Sequence, residues 1–158
     1  MGSMEEKMDI TIRKMKNGDF EALCRLLSDR DVMCCLELPY DRARTKEFLE
    51  SAGLAENPLV YAAEQNGEFI GYVIYHAYDE KSMEIGWVLF KEYWGRGYAS
   101  VLTDMLVSKA IKEQKDAVIE CMHEQEATRY IALKKGFEYC GISDGLEIYR
   151  LKFLREKQ

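Results

Sequence analysis

Glu84-Ile85-Gly86-Trp87-Val88-Leu89-Phe90-Lys91-Glu92-Tyr93-Trp94-Gly95-Arg96-Gly97-Tyr98-Ala99-Ser100 is the stretch on which the fold turns. Its first half alternates. From Ser82 to Phe90 the side chains of Glu84, Gly86 and Val88 share one face of a strand, and Ile85, Trp87 and Leu89 the other. After it the period changes: Val101, Leu102, Met105, Leu106 and Ala110 recur at helical spacing between Gly97 and about Gln114. Gly95 and Gly97 flank Arg96 at the junction, and small Ala99 follows. A strand that feeds a glycine turn into a helix makes an anion site. The first N–H groups of the helix lack internal partners, and the helix dipole favours negative charge there. A pyrophosphate is a fitting guest. The dinucleotide fingerprint needs a third glycine and an acid about 20 residues on, within a parallel βαβ unit, whereas this strand belongs to a meander. The nucleotide triphosphate loop needs Gly-Lys-Ser/Thr, which is absent.

Working outward, the strand closes a meander. Leu59 to Glu64 is short and apolar, Asn66-Gly67 is a strong hairpin signal, and Phe69 to Tyr78 returns with aromatic and β-branched residues. Upstream, Asp9 to Met15 reads as a strand. Asn17-Gly18-Asp19 starts a helix carrying Phe20, Leu23, Cys24 and Leu27. A second helix is expected from Asp41 to Ser51, with Phe48 and Leu49 inward and Gly53 as its stop. Downstream come a strand from Ala117 to Met122, a helix with Ala127, Tyr130 and Ile131 that Gly136 ends, and a hairpin of Phe137 to Ile142 and Leu146 to Phe153 around Asp144-Gly145. The expected order is β α α β β β α β α β β. It describes an α/β (α+β) fold with a mixed, mostly antiparallel central sheet and helices on both faces.

The 158 residues fit one domain, placed at 8–153, with residues 1–7 read as a vector-derived remnant and a disordered start. Cys24, Cys34, Cys35, Cys121 and Cys140 are odd in number, and none shows zinc-knuckle spacing. Reduced thiols in a cytoplasmic protein follow. No metal site is expected from the two histidines, His76 and His123. The net charge of −6 argues against nucleic acid as a partner, and no apolar run reaches the ~20 residues of a membrane helix.

The run from Glu84 to Ala99 resembles the signature region of the GNAT superfamily of N-acetyltransferases, and is most similar to the branch holding the ribosomal-protein N-terminal acetyltransferases. Gly97 and Ala99 match fixed positions of the pattern Gln/Arg-x-x-Gly-x-Gly/Ala, with Trp94 at its start. Thr128 and Lys134-Lys135-Gly136-Phe137 resemble the family's second motif. The resemblance covers about Met8 to Phe153. It implies a GNAT-like acyl-CoA N-acyltransferase fold and acetyl-CoA as acyl donor. Backbone amides of Gly95, Arg96, Gly97, Tyr98, Ala99 and Ser100 would hold the CoA pyrophosphate. Trp87, Val88 and Leu89 would lie along the pantetheine, in a slot opened where this strand splays from the next parallel one. Gln125 stands where the family has a cofactor-contacting asparagine.

Acetyl transfer to an amine needs a base, an oxyanion donor and a route for the leaving thiolate. Glu84 and Glu120 are the candidate bases, each at a position where some members carry a catalytic glutamate. By resemblance the oxyanion donor is the Val88 N–H. The family's acid, a tyrosine, is replaced by Ala132, which leaves Thr128 to bond the departing sulfur. Tyr130 and Tyr149 are assigned to packing, Tyr72, Tyr75 and Tyr78 to the sheet core, and Lys134-Lys135 to a solvated helix end. Cys121 would face away from Glu120, so direct transfer in a ternary complex is expected rather than an acyl-cysteine. The acceptor stays open between a protein N-terminus and a small primary amine. A sensor that binds acyl-CoA without turnover is the alternative, and a homodimer is a family expectation.

Overall fold

The computed structural model describes residues 8–34 and 36–154. Residues 1–7, Cys35 and 155–158 lie outside the described residues, and with them the vector-derived remnant and disordered start expected for 1–7. The hairpin signal at Asn66-Gly67 is realised with φ of 53° and 83°, the left-handed pair that a two-residue turn demands. It joins β2 (Val60–Gln65) to β3 (Glu68–Asp79), and β4 (Ser82–Leu89) follows antiparallel to β3. β1 (Ile10–Arg13) pairs with β2. Beyond helix α4 (Tyr98–Lys112), β5 (Asp116–Cys121) lies parallel to β4. Helix α5 (Glu126–Lys134) then leads to the hairpin of β6 (Glu138–Ser143) and β7 (Leu146–Leu151). The seven-stranded sheet has the order β1-β2-β3-β4-β5-β7-β6.

Alternation divides the core between two faces. Ile70, Val73, Ile85, Leu89 and Ile119 meet Leu102, Leu106 and Ala110 of α4 and Ala132 of α5. On the other face Val60, Ala62, Tyr72 and Val88 meet α1 (Phe20–Leu27) through Leu23, Leu26 and Leu27. Each such side chain contributes about 1.5–3 kcal/mol on full burial, so the faces seen as alternating in the sequence are the ones that pack. Two helical details differ from the sequence reading. A single turn, α2 (Arg30–Met33), follows α1 because the Asp29 side chain accepts from the N–H groups of Asp31 and Val32. The helix expected over Asp41–Ser51 is regular only as α3 (Arg42–Phe48), capped by Asp41. It then widens into a π turn, Leu49–Gly53, which brings Gly53 against Met15 so closely that a Cβ there would lie 2.7 Å from the Met15 sulfur.

Candidate active site

The site begins where two strands part. β4 and β5 are paired only through Ser82–Asp116, Met83–Ala117 and Glu84–Val118. Past Glu84, β4 continues to Leu89 with β3 as its partner, and β5 continues to Cys121 with β7 as its partner. A V-shaped slot opens between them. The Asp116 N–H donates to the Lys81 carbonyl and the Phe90 N–H to the Ile70 carbonyl, so odd residues of β4 turn their backbone groups toward β5 and even residues toward β3. Trp87 and the Leu89 N–H therefore face the slot, and the Leu89 carbonyl accepts from the Trp94 indole at 3.0 Å. This corrects the expectation for the oxyanion donor. Val88 sits opposite Tyr72, with its N–H in the ladder toward β3, so the slot-facing donors at this level are Trp87 and Leu89.

At the mouth of the slot Gly95 and Gly97 have φ of 67° and 89°. Gly97 caps α4 without a side chain, the first turn holds no acid, and the first helical bond runs from the Val101 N–H to the Gly97 carbonyl. The N–H groups of Tyr98, Ala99 and Ser100 are thus left to an outside acceptor. Arg96 folds back onto the Glu92 carbonyl at 3.1 Å and lies over the rings of Tyr93 and Tyr98, which places a cation beside the mouth. The Tyr98 side chain is buried, so only its backbone is offered. The cleft has a volume of about 600 Å³. Trp87, Val88, Leu89, Gly95, Gly97, Tyr98, Ala99 and Ser100 line one wall, and Gln125, Thr128, Tyr130, Ile131, Lys134 and Lys135 the other. The donor row, a first helical turn without an acid and a cleft of this volume fit a pyrophosphate carrying a long thiol arm. Two cleft residues are also engaged with the protein itself: Gln125 Oε1 accepts from the Met122 N–H at 2.8 Å, and Lys135 donates to Asp104 at 3.0 Å.

An added Cβ at Gly95 meets no protein atom within 4 Å. Gly95→Val is therefore expected to cost stability only through backbone strain at φ +67°, about 1–3 kcal/mol or several degrees of melting temperature, and still to fold. It should weaken CoA binding about tenfold or more, because the strain and the new methyl groups fall where the anion must approach. Calorimetric titration with CoA checks this, and an unchanged Kd would remove the loop from the cofactor site.

The carboxylates lie at the foot of the V. Glu84 is the last β4 residue paired with β5, and it shares with Glu120 and Val88 the sheet face that α1 covers further along. Burial pushes the Glu84 carboxyl above its ordinary value, the Glu120 charge adds to this, and His76 opposes it. His76 stands opposite Glu84 in the ladder, with Nε2 at 3.5 Å from Glu84 Oε1. Tyr78 is not core, as Tyr72 and Tyr75 are. It is half-buried, and its hydroxyl is raised by burial and by the neighbouring Glu120 carboxylate. On the opposite face buried Glu147 accepts from the Tyr149 hydroxyl at 2.7 Å and is 2.7 Å from His123 Nδ1, contacts that hold its carboxyl below the ordinary value. Cys121 belongs to that face too, where burial pushes its thiol to about 11. A thiol so buried, and across the sheet from the carboxylates, is a poor acyl carrier.

The sequence reading singled out Glu84, Glu120 and the glycine turn, and gave no site role to His76, Tyr78 or Glu147, which the fold brings near the carboxylates or across the sheet from them. Ala132 is fully buried against the core, so no hydroxyl replaces the family tyrosine there.

Residues 9–138 match the family model of the acetyltransferase (GNAT) domain. The chain belongs to this family. It is similar to an uncharacterized N-acetyltransferase, p20, of Bacillus licheniformis, with 25% identity over 139 residues that cover 82% of this chain and 78% of that one. The fold is shared with ribosomal-protein-alanine N-acetyltransferase of Brucella melitensis, at a TM-score of 0.68 and 22% identity over 91% of this chain and 99% of that one. It is also shared with spermidine N-acetyltransferase of Vibrio cholerae, solved with CoA and spermine, at a TM-score of 0.73 and 18% identity over 90% and 93% of the two chains. The protein is an acetyl-CoA-dependent acetyltransferase. The mixed sheet read from the sequence is that of its GNAT neighbours.

Proposed function

We propose that this GNAT acetyltransferase moves the acetyl group of acetyl-CoA onto a primary amine by direct attack in a ternary complex, with Glu84 as the base. The observation that carries the reading is the position of Glu84: a shielded carboxyl of raised proton affinity, set at the fork where the slot for the thioester begins. A lysine-like amine is mostly ammonium at neutral pH and must lose a proton before it can attack. A glutamate raised toward working pH is matched to that task. Glu147, held below its ordinary value, is the poorer base and serves to fix β7 to the turn before α5.

In this reading the amides of Gly95 to Ser100 hold the pyrophosphate, and Trp87, Val88 and Leu89 flank the pantetheine. The N–H groups of Trp87 and Leu89 are placed for the tetrahedral oxygen. Glu84 accepts the ammonium proton, directly or through a water. The amine nitrogen then bonds the thioester carbon, the C–S bond breaks, and the sulfur leaves beside the Thr128 hydroxyl, taking the second proton from the adduct nitrogen directly or through a water, so that one proton in all passes to Glu84. Glu120, beside Tyr78, supplies a second negative charge for the incoming cation. The acceptor is thus a cationic primary amine, on a small molecule or at a peptide N-terminus.

Direct transfer has a kinetic signature. Initial rates against acetyl-CoA at several amine concentrations are expected to give intersecting reciprocal lines. Parallel lines would establish an acyl-enzyme and overturn the ternary route. Thiol release measured across amines and N-terminal peptides identifies the acceptor.

A further inference from the structure

The reading of Glu84 as base leaves open where the proton goes next, and the geometry around His76 answers this. His76 Nδ1 lies 3.0 Å from the Ala77 carbonyl. A carbonyl can only accept, so Nδ1 carries the hydrogen of that bond. The remaining ring nitrogen, Nε2, is the one that gains and loses a proton, and it faces Glu84 Oε1 at 3.5 Å. A bare Nε2 lone pair turned toward a carboxylate is repulsive, and a proton held between them removes the repulsion. The side chains of Glu84 and His76 are 20% and 28% exposed, so the histidine is the more open of the two. The ladder also fixes their relation, since the two residues sit directly opposite each other on β3 and β4 and cannot drift apart without breaking the sheet.

We infer that His76 is the proton relay of this enzyme, passing to solvent the proton that Glu84 takes from the acceptor amine. The inference rests on Glu84 being the base. In each turnover the amine N–H bond breaks and the proton bonds a Glu84 oxygen. It then moves to His76 Nε2, giving an imidazolium while Glu84 returns to carboxylate. Water removes the proton from the ring. No electrons change hands and no further reactant is needed. His76 touches neither the acetyl group nor the amine, so it is a positioning residue that acts through Glu84. The titratable groups around the pair are Glu84 on β4, Glu120 on β5 and Tyr78 on β3, with Arg150 of β7 beside Tyr78. Within this group the Glu120 charge raises the proton affinity of Glu84 and His76 lowers it.

The test uses the intact chain, the acceptor found by thiol release, and the variants His76→Gln, His76→Ala and Glu84→Gln. His76→Gln keeps a polar group opposite Glu84 but cannot carry the proton. The expected result is a kcat at least tenfold lower in both His76 variants, with the KM for acetyl-CoA unchanged. Their acidic limb should shift to higher pH, because the positive charge that eased ionisation of Glu84 is gone. Added imidazole should restore kcat in His76→Ala and not in Glu84→Gln. Parent-like kcat and pH profile in both His76 variants, beside an inactive Glu84→Gln, would overturn the relay and leave the base in place. Loss of activity without imidazole rescue, accompanied by a raised acetyl-CoA KM, would make His76 a structural residue and also overturn it. Full activity in Glu84→Gln would remove the base assignment itself.

Discussion

Glu84→Gln is expected to lower kcat by about 100-fold or more while leaving the Kd for CoA unchanged. General-base groups contribute about 10²–10⁴ in rate, and the amide cannot take a proton from an ammonium. The proposed cofactor contacts are at the other end of the slot, at Gly95 to Ser100 and on α5, so binding should not notice the change. The pH dependence follows from the direction of the shift. Burial raises the Glu84 carboxyl above its ordinary 4.5, so the basic form appears only as pH climbs through that raised value. The acidic limb of kcat/KM should accordingly lie above the range of a free glutamate. Stability provides a second readout with its own sign. A carboxyl that holds its proton more tightly folded than unfolded contributes stability below its unfolded pKa, and this is lost as pH rises through the folded one. At pH 8 the charged, shielded Glu84 is therefore a net cost to the fold. Glu84→Gln removes that cost and should raise the melting temperature at pH 8, with less effect at pH 4. A variant that is more stable and much slower marks a residue kept for chemistry. One that loses stability and activity together would point to packing instead.

Much of this site could be read along the chain because its signals are local. Alternation from Ser82 to Phe90 placed Glu84 with Val88, and the Gly95-Arg96-Gly97 turn before an amphipathic helix marked the proposed anion cradle. What escaped depends on register. Counting back from the β3–β4 turn, where Asp79 pairs with Ser82, would set Ala77 opposite Glu84. An irregularity between Ala77 and Asp79 leaves Tyr78 as the extra residue and moves the pairing by one, so that His76 takes the place. The same kind of distance hides Glu147 and His123, which are 24 residues apart and meet through the pairing of β5 with β7. The Val88 amide was misdirected for a related reason: which side of a strand an N–H faces is fixed by the neighbouring ladder, and alternation of side chains does not report it. The end of β4–β5 pairing at Glu84 likewise has no mark in the local sequence.

Gly71→Ala carries the largest expected cost to stability, and its reason lies in how the slot is opened. Gly71 has φ of +151°, and a Cβ there would fall 2.1 Å from the Val88 carbonyl oxygen and 2.8 Å from the Leu89 Cα. Both obstacles are backbone, so no side chain can swing aside. Strain at positive φ and overpacking each cost about 1–3 kcal/mol, which together make roughly 4 kcal/mol. In a domain of this size that lowers the melting temperature by about 10 °C. The adjoining register step, in which Ala63 pairs with Gly71 but Glu64 with Phe69, leaves Ile70 as the extra residue on β3. Bulge and glycine together let β3 press close to Val88 and Leu89, on the side of β4 away from the slot. The last residues of β4 are thereby held by β3 alone while β5 turns off toward β7. Adding a methyl group pushes β4 back toward β5, so the folded Gly71→Ala enzyme should also bind CoA more weakly. Gly67→Ala is the control: its φ is +83°, but a Cβ there meets nothing within 4 Å, so it adds strain without overpacking and leaves the slot alone. Urea unfolding and CoA titration of the two variants separate the effects. If Gly71→Ala proves no less stable than Gly67→Ala and binds CoA like the parent, the close approach of β3 is not what holds the slot open.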